Sequence, residues 1–225
     1  RGIVNPRAAK RFLSPRLADL THPDAMADRA LAADRLVRAI RARERGVVFG
    51  DYDVDGITSA ALLTRVMRAL GADVKTLVAS RFDGGYGLSD TAVDRALALG
   101  PGVVVTCDCG TSDHPRLERL RAKGVDAIVV DHHKVPEEKL PALAFLNPHR
   151  PECAFPYKHM ASVGLAFSIA AAVRAGLGVN FDMRALLDLV ALGTVADVAP
   201  LDGDNRILTR AGIDRIAEGN ANAGV

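Results

Sequence analysis

Carboxylates and imidazoles gather at four places in this chain, and each place follows an apolar stretch. Val47-Val48-Phe49 leads into Asp51-Tyr52-Asp53-Val54-Asp55-Gly56, and Val103-Val104-Val105 leads into Cys107-Asp108-Cys109-Gly110. Ala127-Ile128-Val129-Val130 leads into Asp131-His132-His133, and a helix-like stretch from Leu186 to Val195 leads into Ala196-Asp197. The first three runs are short and rich in β-branched residues, which predicts buried parallel strands. An open parallel sheet binds its ligands at the carboxyl ends of its strands. Three of the clusters are therefore expected at one edge of one sheet. Hard oxygen ligands beside imidazole suit Mn²⁺ or Mg²⁺ better than a thiolate-bound metal.

Each cluster has its own chemistry. Asp53 and Asp55 are two apart, so in a continuing extended loop they share a face and repel unless a cation joins them. Gly56 is expected to open a helix whose first amides hold an anion such as phosphate, with the Thr58 and Ser59 hydroxyls beside it. The same Asp-x-Asp-x-Asp-Gly run could begin a calcium loop, but the twelfth loop position is Leu62 rather than Glu. It could also be a helix cap. Asp108 lies between two cysteines, and one Cys-x-Cys without a second pair is a weak zinc signal; small buried side chains are the plainer reading. In Asp131-His132-His133 one imidazole can bind metal while its neighbour faces a phosphate, with Asp131 orienting a ring. Asp197 ends an apolar helix, where the helix dipole opposes a negative charge, so a compensating cation is expected. His22, His114, His149 and His159 lie in loop-like sequence without a partner pattern, as surface or internally satisfied histidines.

These residues need a scaffold, and 225 residues suffice for one large or two small domains. A hydrophobic share of 49% with 25% charged residues fits a soluble globular chain, and the apolar stretches are too short for a membrane span. Net charge is +2, too near neutral to imply nucleic-acid binding by itself. Residues 1–45 are more basic, with eleven Lys/Arg against five Asp/Glu. Three cysteines make no disulfide framework and fit a reducing, cytoplasmic setting.

The pattern predicts an irregular start over 1–22, then a helix from an Asp24 cap to about Arg45. It continues with strand 47–50, helix 57–70, strand 73–79, loop Arg81 to Gly87, and a Ser89-capped helix to about Leu99. Strand 102–107, helix 113–123 and strand 126–130 follow. A Pro-rich stretch over 134–159 has room for a strand near 143–146. Helices are then expected at 161–175, 182–195 and 205–217. Right-handed crossovers make this α/β: a parallel sheet with helices on both faces, followed by a helical segment. As units we read an extension over 1–22, an α/β core over 23–150, a helical part over 151–218 carrying Asp197, and a linker over 219–225.

Taken together, Asp-x-Asp-x-Asp-Gly, an Asp after a valine-rich strand, Asp-His-His and Gly-Thr-Val-Ala-Asp resemble the DHH phosphoesterase superfamily. Phe49 to Ser59, Gly85-Tyr86-Gly87-Leu88, Asn147-Pro148 and Ala191 to Leu201 are similar to its branch of bacterial 5′→3′ exonucleases specific for single-stranded DNA. The resemblance runs from Ser14-Pro15 to Ile216. It implies that Asp53, Asp55, Asp108, His132 and Asp197 ligate one or two Mn²⁺ or Mg²⁺ ions, with Asp108 bridging. It implies that His133 contacts the scissile phosphate, with Asp108 and Asp131 also in the catalytic group, although Asp131 and Asp51 fit a supporting or loop-shaping place better. Arg81, Gly85, Tyr86 and Gly87 would line the strand's path, with Thr58 and Ser59 also against substrate. The expected setting is DNA repair and recombination, with a monomer acting on single-stranded DNA beside single-strand-binding protein and other repair proteins, and no membrane.

Two positions depart from the family pattern. Small phosphatases of the superfamily carry a His four residues before the first ligand Asp, where this chain has Phe49, and the exonuclease branch carries Asn after the mid-chain Asp, where Cys109 stands. A second catalytic domain and an OB-fold are absent from the sequence. The alternative reading is a phosphodiesterase for short oligonucleotides or cyclic dinucleotides; a third, a relative kept as a binding scaffold, would have lost ligands that are all present here.

Overall fold

The structure, a computed structural model, describes residues 3–82 and 85–225. Five strands form one parallel sheet: β1 (Gly46–Gly50), β2 (Val74–Val78), β3 (Val103–Cys107), β4 (Asp126–Val130) and β5 (Ala144–Leu146), in the order β2-β1-β3-β4-β5. The valine-rich strands alternate their side chains between two faces. On one face, Val48, Val103, Val105, Ile128 and Val130 pack with α2 (Arg29–Arg41), α3 (Val54–Ala69) and α6 (Ser162–Leu177). On the other, Val47, Phe49, Val104, Ala127 and Val129 pack with α4 (Asp90–Ala98) and α5 (His114–Ala122). This is the α/β sheet covered on both faces that the β-branched runs imply.

The helical segment follows. Its α6 lies on α3 and α2, while α7 (Leu187–Ala196) is held between α3 and α8 (Gly203–Ala217). Gly193 permits that approach: a Cβ there would strike Thr58 Oγ1 and stand 3.0 Å from Asp55 Oδ1.

Three local expectations change. Residues 6–13 form the helix α1 (Pro6–Leu13), because Asn5 Oδ1 accepts from Ala8 N and Pro6 fits the first turn. Asp24 does not cap α2; it lies in a single 3₁₀ turn, Pro23–Ala25, and α2 starts after Asp28. The helix after the first Asp cluster begins at Val54, three residues early, with consequences for the site below. The stretch 219–225 is tied down, since the buried Asp188 carboxylate accepts from Asn222 N and Nδ2. Arg1, Gly2, Asp83 and Gly84, which the extension and the Arg81–Gly87 loop included, lie outside the described residues.

Candidate metal centre

Strand register assembles the site. Gly50 pairs with Cys107, and Cys107 with Val130. The next residue on each strand is an aspartate, so Asp51, Asp108 and Asp131 stand side by side at the carboxyl edge. The ladder runs one step further through them: Asp51 N donates to Cys107 O, Asp108 N to Val130 O and Asp131 N to Leu146 O. All three are buried. Asp108 has a φ of 61°, a left-handed conformation at the end of β3, which turns the chain sharply and costs backbone energy that an Asp bears better than a β-branched residue.

Asp53 and Asp55 do not share a face. Asp53 is the N-cap of α3, its Oδ1 accepting from Gly56 N at 2.9 Å. Asp55 lies inside the first helical turn. The extended-loop geometry is therefore corrected: helix begins one residue after Asp53 because that carboxylate caps it. The Gly56 amide, expected to hold phosphate, is already engaged. A Cβ at Gly56 would also stand 2.6 Å from Asp51 N, so the turn is closed there. Thr58 donates to Val54 O and Asp55 O, Ser59 is fully buried, and neither hydroxyl is open to solvent.

Asp55 points instead at the start of α6. Its Oδ2 accepts from Ser162 N at 2.8 Å and its Oδ1 from Val163 N at 2.9 Å. Ser162 Oγ donates to Asp108 Oδ1 at 2.9 Å. Ser162, which the sequence reading did not single out, thus ties two acidic positions to one helix end. Only a serine at a helix start, without a spacing rule to the Asp clusters, signals this in the sequence.

Three overlapping groups of donor atoms result, each within 4.8 Å: Asp108 with His132 and His133, Asp55 with His132 and Asp197, and Asp51 with Asp53 and Asp108. Asp108 and His132 are each shared by two groups. His132 Nε2 stands 3.3 Å from Asp108 Oδ1 and 3.8 Å from Asp197 Oδ2. The structure thus brings Asp53, Asp55, Asp108, His132 and Asp197 together and adds Asp51. The donor set fits a hard divalent cation. Asp108 Oδ2 and Asp51 Oδ2 are buried with no hydrogen-bond partner, and such atoms are costly unless something binds them. Burial, then Asp108, raises the Asp55 carboxyl to about 8. Burial, then Asp53 and Asp131, raises Asp108 to about 9. Burial likewise raises Asp51 and Asp197. Carboxylates crowded this way are neutralised by protons or by a cation. Burial pushes the Cys107 and Cys109 thiols well up, against thiolate ligation.

Asp131 is different in kind. Its Oδ1 accepts from His132 N, His133 N and His133 Nδ1, the last at 2.7 Å, and its Oδ2 from Thr111 N. Burial raises this carboxyl, yet the hydrogen bond and charge of His133 win, and it falls to about 2. In return Asp131 raises His133. His133 Nε2 meets Tyr86 Oη at 2.9 Å. Tyr86 stands edge-on to Tyr52, and the Arg81 guanidinium lies 4.7 Å from the Tyr52 ring centre. Arg81, Tyr52, Tyr86 and His133 thus form one wall. Gly87 N donates to Asp51 Oδ1 and Leu88 N to Asp113 Oδ2, which anchors the loop bearing Gly85 and Tyr86.

Residues 45–194 match the family model described as DHH family, N-terminal domain. The chain is 46% identical over 206 residues to the single-stranded-DNA-specific exonuclease RecJ of Escherichia coli K12, across 86% of this chain and 36% of that protein. It therefore spans just over a third of that relative's length. A crystal structure of exonuclease RecJ bound to manganese superposes with a TM-score of 0.77 at 37% identity, covering 86% of this chain and 49% of that one. RecJ from Thermus thermophilus in complex with Mn²⁺ gives 0.77 at 35% identity, covering 93% and 29%. Both the matched family model and the site's architecture lead to one assignment: the chain belongs to the DHH family.

Proposed function

We propose that this chain is the metal-binding part of a 5′→3′ exonuclease that hydrolyses phosphodiester bonds of single-stranded DNA. The observation that carries the reading is the convergence of Asp53, Asp55, Asp108, His132 and Asp197 around the shared Asp108 and His132. The similarity to RecJ proteins supports the substrate class. In this reading those five residues hold one or two Mn²⁺ or Mg²⁺ ions, and Asp51 completes the side nearest Asp53. Bound ions would offset charge on the phosphodiester and bring a water's pKa toward neutrality.

The other residues act on protons and position. Asp131 accepts from His133 Nδ1 and, by raising that imidazole, favours a second proton at Nε2. That atom then donates to a phosphate oxygen, and the Tyr86 hydroxyl it now meets must share or yield the place. Arg81 and the Gly85-Tyr86-Gly87 turn line the strand's path. Ser162 keeps Asp55 and Asp108 aimed. The setting we propose is the cytoplasm, in repair and recombination, as a monomer beside single-strand-binding protein. Among the described residues no helix is long and apolar enough to cross a membrane.

The test is Mn²⁺-dependent degradation of a 5′-phosphorylated single strand labelled at either end, by this chain and by its full-length parent. Shortening from the 5′ end supports the exonuclease. Rapid dinucleotide hydrolysis with the strand left intact would replace it with the small-substrate phosphodiesterase.

A further inference from the structure

Beyond β4 and β5 a cavity of about 1090 Å³ opens beside the metal cluster. His132 stands at one end, so an occupant of that end touches the cluster. The walls are the loop after Asp-His-His, the turn at His149–Glu152 and the start of α2. Leu31, Val135, Leu143 and Phe145 give the cavity apolar surface. Most lining carboxylates are already matched: Arg150 reaches Asp28 at 2.6 Å and also Glu152, and Glu138 lies 3.3 Å from His114. Glu137 is the exception. Among the described residues, Lys134 and His149 on the lining have no carboxylate partner, and His159 stands with its ring centre 6.3 Å from that of His149.

The cavity thus has apolar surface and unmatched basic groups toward the cluster, the complement of a nucleotide's flat base and charged phosphate. It lies on the opposite side of the cluster from Arg81 and Tyr86. The sheet order sets that distance: β1 to β5 is three strand spacings, about 14 Å. A strand crossing the sheet edge over Asp108 would run from one side to the other.

We propose that this cavity is a second strand-binding site, holding the nucleotides that lie beyond the scissile phosphate from Arg81 and Tyr86. Their phosphates meet Lys134 and His149, and their bases rest on Leu31, Val135 and Phe145. The proposal rests on the exonuclease reading and goes further, because it makes substrate length matter on one side.

Two measurements test it. Single strands carrying 4-thiothymidine at successive positions are irradiated on the whole chain and the adducts mapped by mass spectrometry. Adducts are expected on residues 134–145 from positions on one side of the cleaved bond. In parallel, kcat/KM is measured on oligonucleotides of two to eight nucleotides in the full-length parent. Lys134→Ala with His149→Ala should reduce the long-to-short ratio about tenfold, the scale of one or two lost phosphate contacts. Adducts confined to the Arg81 side, or an unchanged ratio, would overturn the proposal and leave the cavity to another occupant. A parent that cleaves no strand at all, and a chain that crosslinks to none, would instead remove the exonuclease reading.

Discussion

Asp108 carries opposed demands. It is buried, adopts a left-handed backbone and leaves Oδ2 without a partner, yet it stands where two donor groups overlap. Asp108→Ala should abolish Mn²⁺ binding and hydrolysis while the metal-free protein melts no lower than the wild type, because an uncompensated carboxyl has been removed. Calorimetric titration with Mn²⁺ and a melting curve in chelator check both halves; full hydrolysis by the variant would end the bridging assignment.

The pH dependence has a definite sign. Asp55 and Asp108 titrate higher in the fold, at about 8 and about 9, than in the unfolded chain. Their protons therefore stabilise the metal-free fold most below about pH 4, and that stability is lost as pH rises toward 8–9. Asp131, held at about 2, works the other way: its contribution is present above about pH 4 and is lost as pH falls toward 2. The melting temperature in chelator should thus fall between pH 5 and pH 9, and saturating Mn²⁺ should flatten the slope. A flat profile in chelator would contradict the burial of these carboxyls. Asp131→Ala, which strands the Thr111, His132 and His133 donors, should cost about 2–4 kcal/mol in urea unfolding.

At the scale of elements, helix ends do the positioning. The start of α6 grips Asp55 and, through Ser162, Asp108. The end of α7 presents Asp197, then turns through Val198, whose φ of 59° sits where a helix C-terminus usually places Gly. Val198 N donates to Val195 O and Ala199 N to Thr194 O, closing the turn. A β-branched residue is strained there, so Val198→Gly should raise unfolding stability by about 0.5–1 kcal/mol, relief of strain less the entropy of a new glycine. Gly193→Ala should do the reverse. Its methyl would strike Thr58 and Asp55, push α7 from α3 and separate Asp197 from Asp55. We expect a loss of about 1–3 kcal/mol with weaker Mn²⁺ affinity, read by denaturation and calorimetry on the same sample.

For the whole molecule, the sheet and the helical segment meet at the site: Asp51, Asp53, Asp55, Asp108 and His132 come from the sheet half, Asp197 and Ser162 from the helices. Metal binding should therefore stabilise both halves as one unit. At a Mn²⁺ concentration 100 times its Kd the gain is about 2.7 kcal/mol, with protons released near neutral pH as Asp55 and Asp108 give theirs up. Calorimetry in buffers of different ionisation enthalpy would count them.

Much of this was legible without coordinates, because valine-rich runs ending in Asp report both a buried strand and its functional end. From the run Val103–Val105 and the acid after it one reads the sheet, the edge and the hard-ligand chemistry, since these depend on local pattern and covalent order. Only tertiary structure decided how the acids divide. Asp53 and Asp55 look like one pair in sequence, yet a capped helix between them sends one toward Asp108 and the other toward Asp197. Ser162 meets Asp55 and Asp108 across more than fifty residues of chain, and His149 comes beside the cluster through the packing of a loop. Contacts of that range are set by how helices dock on the sheet, which no local pattern encodes.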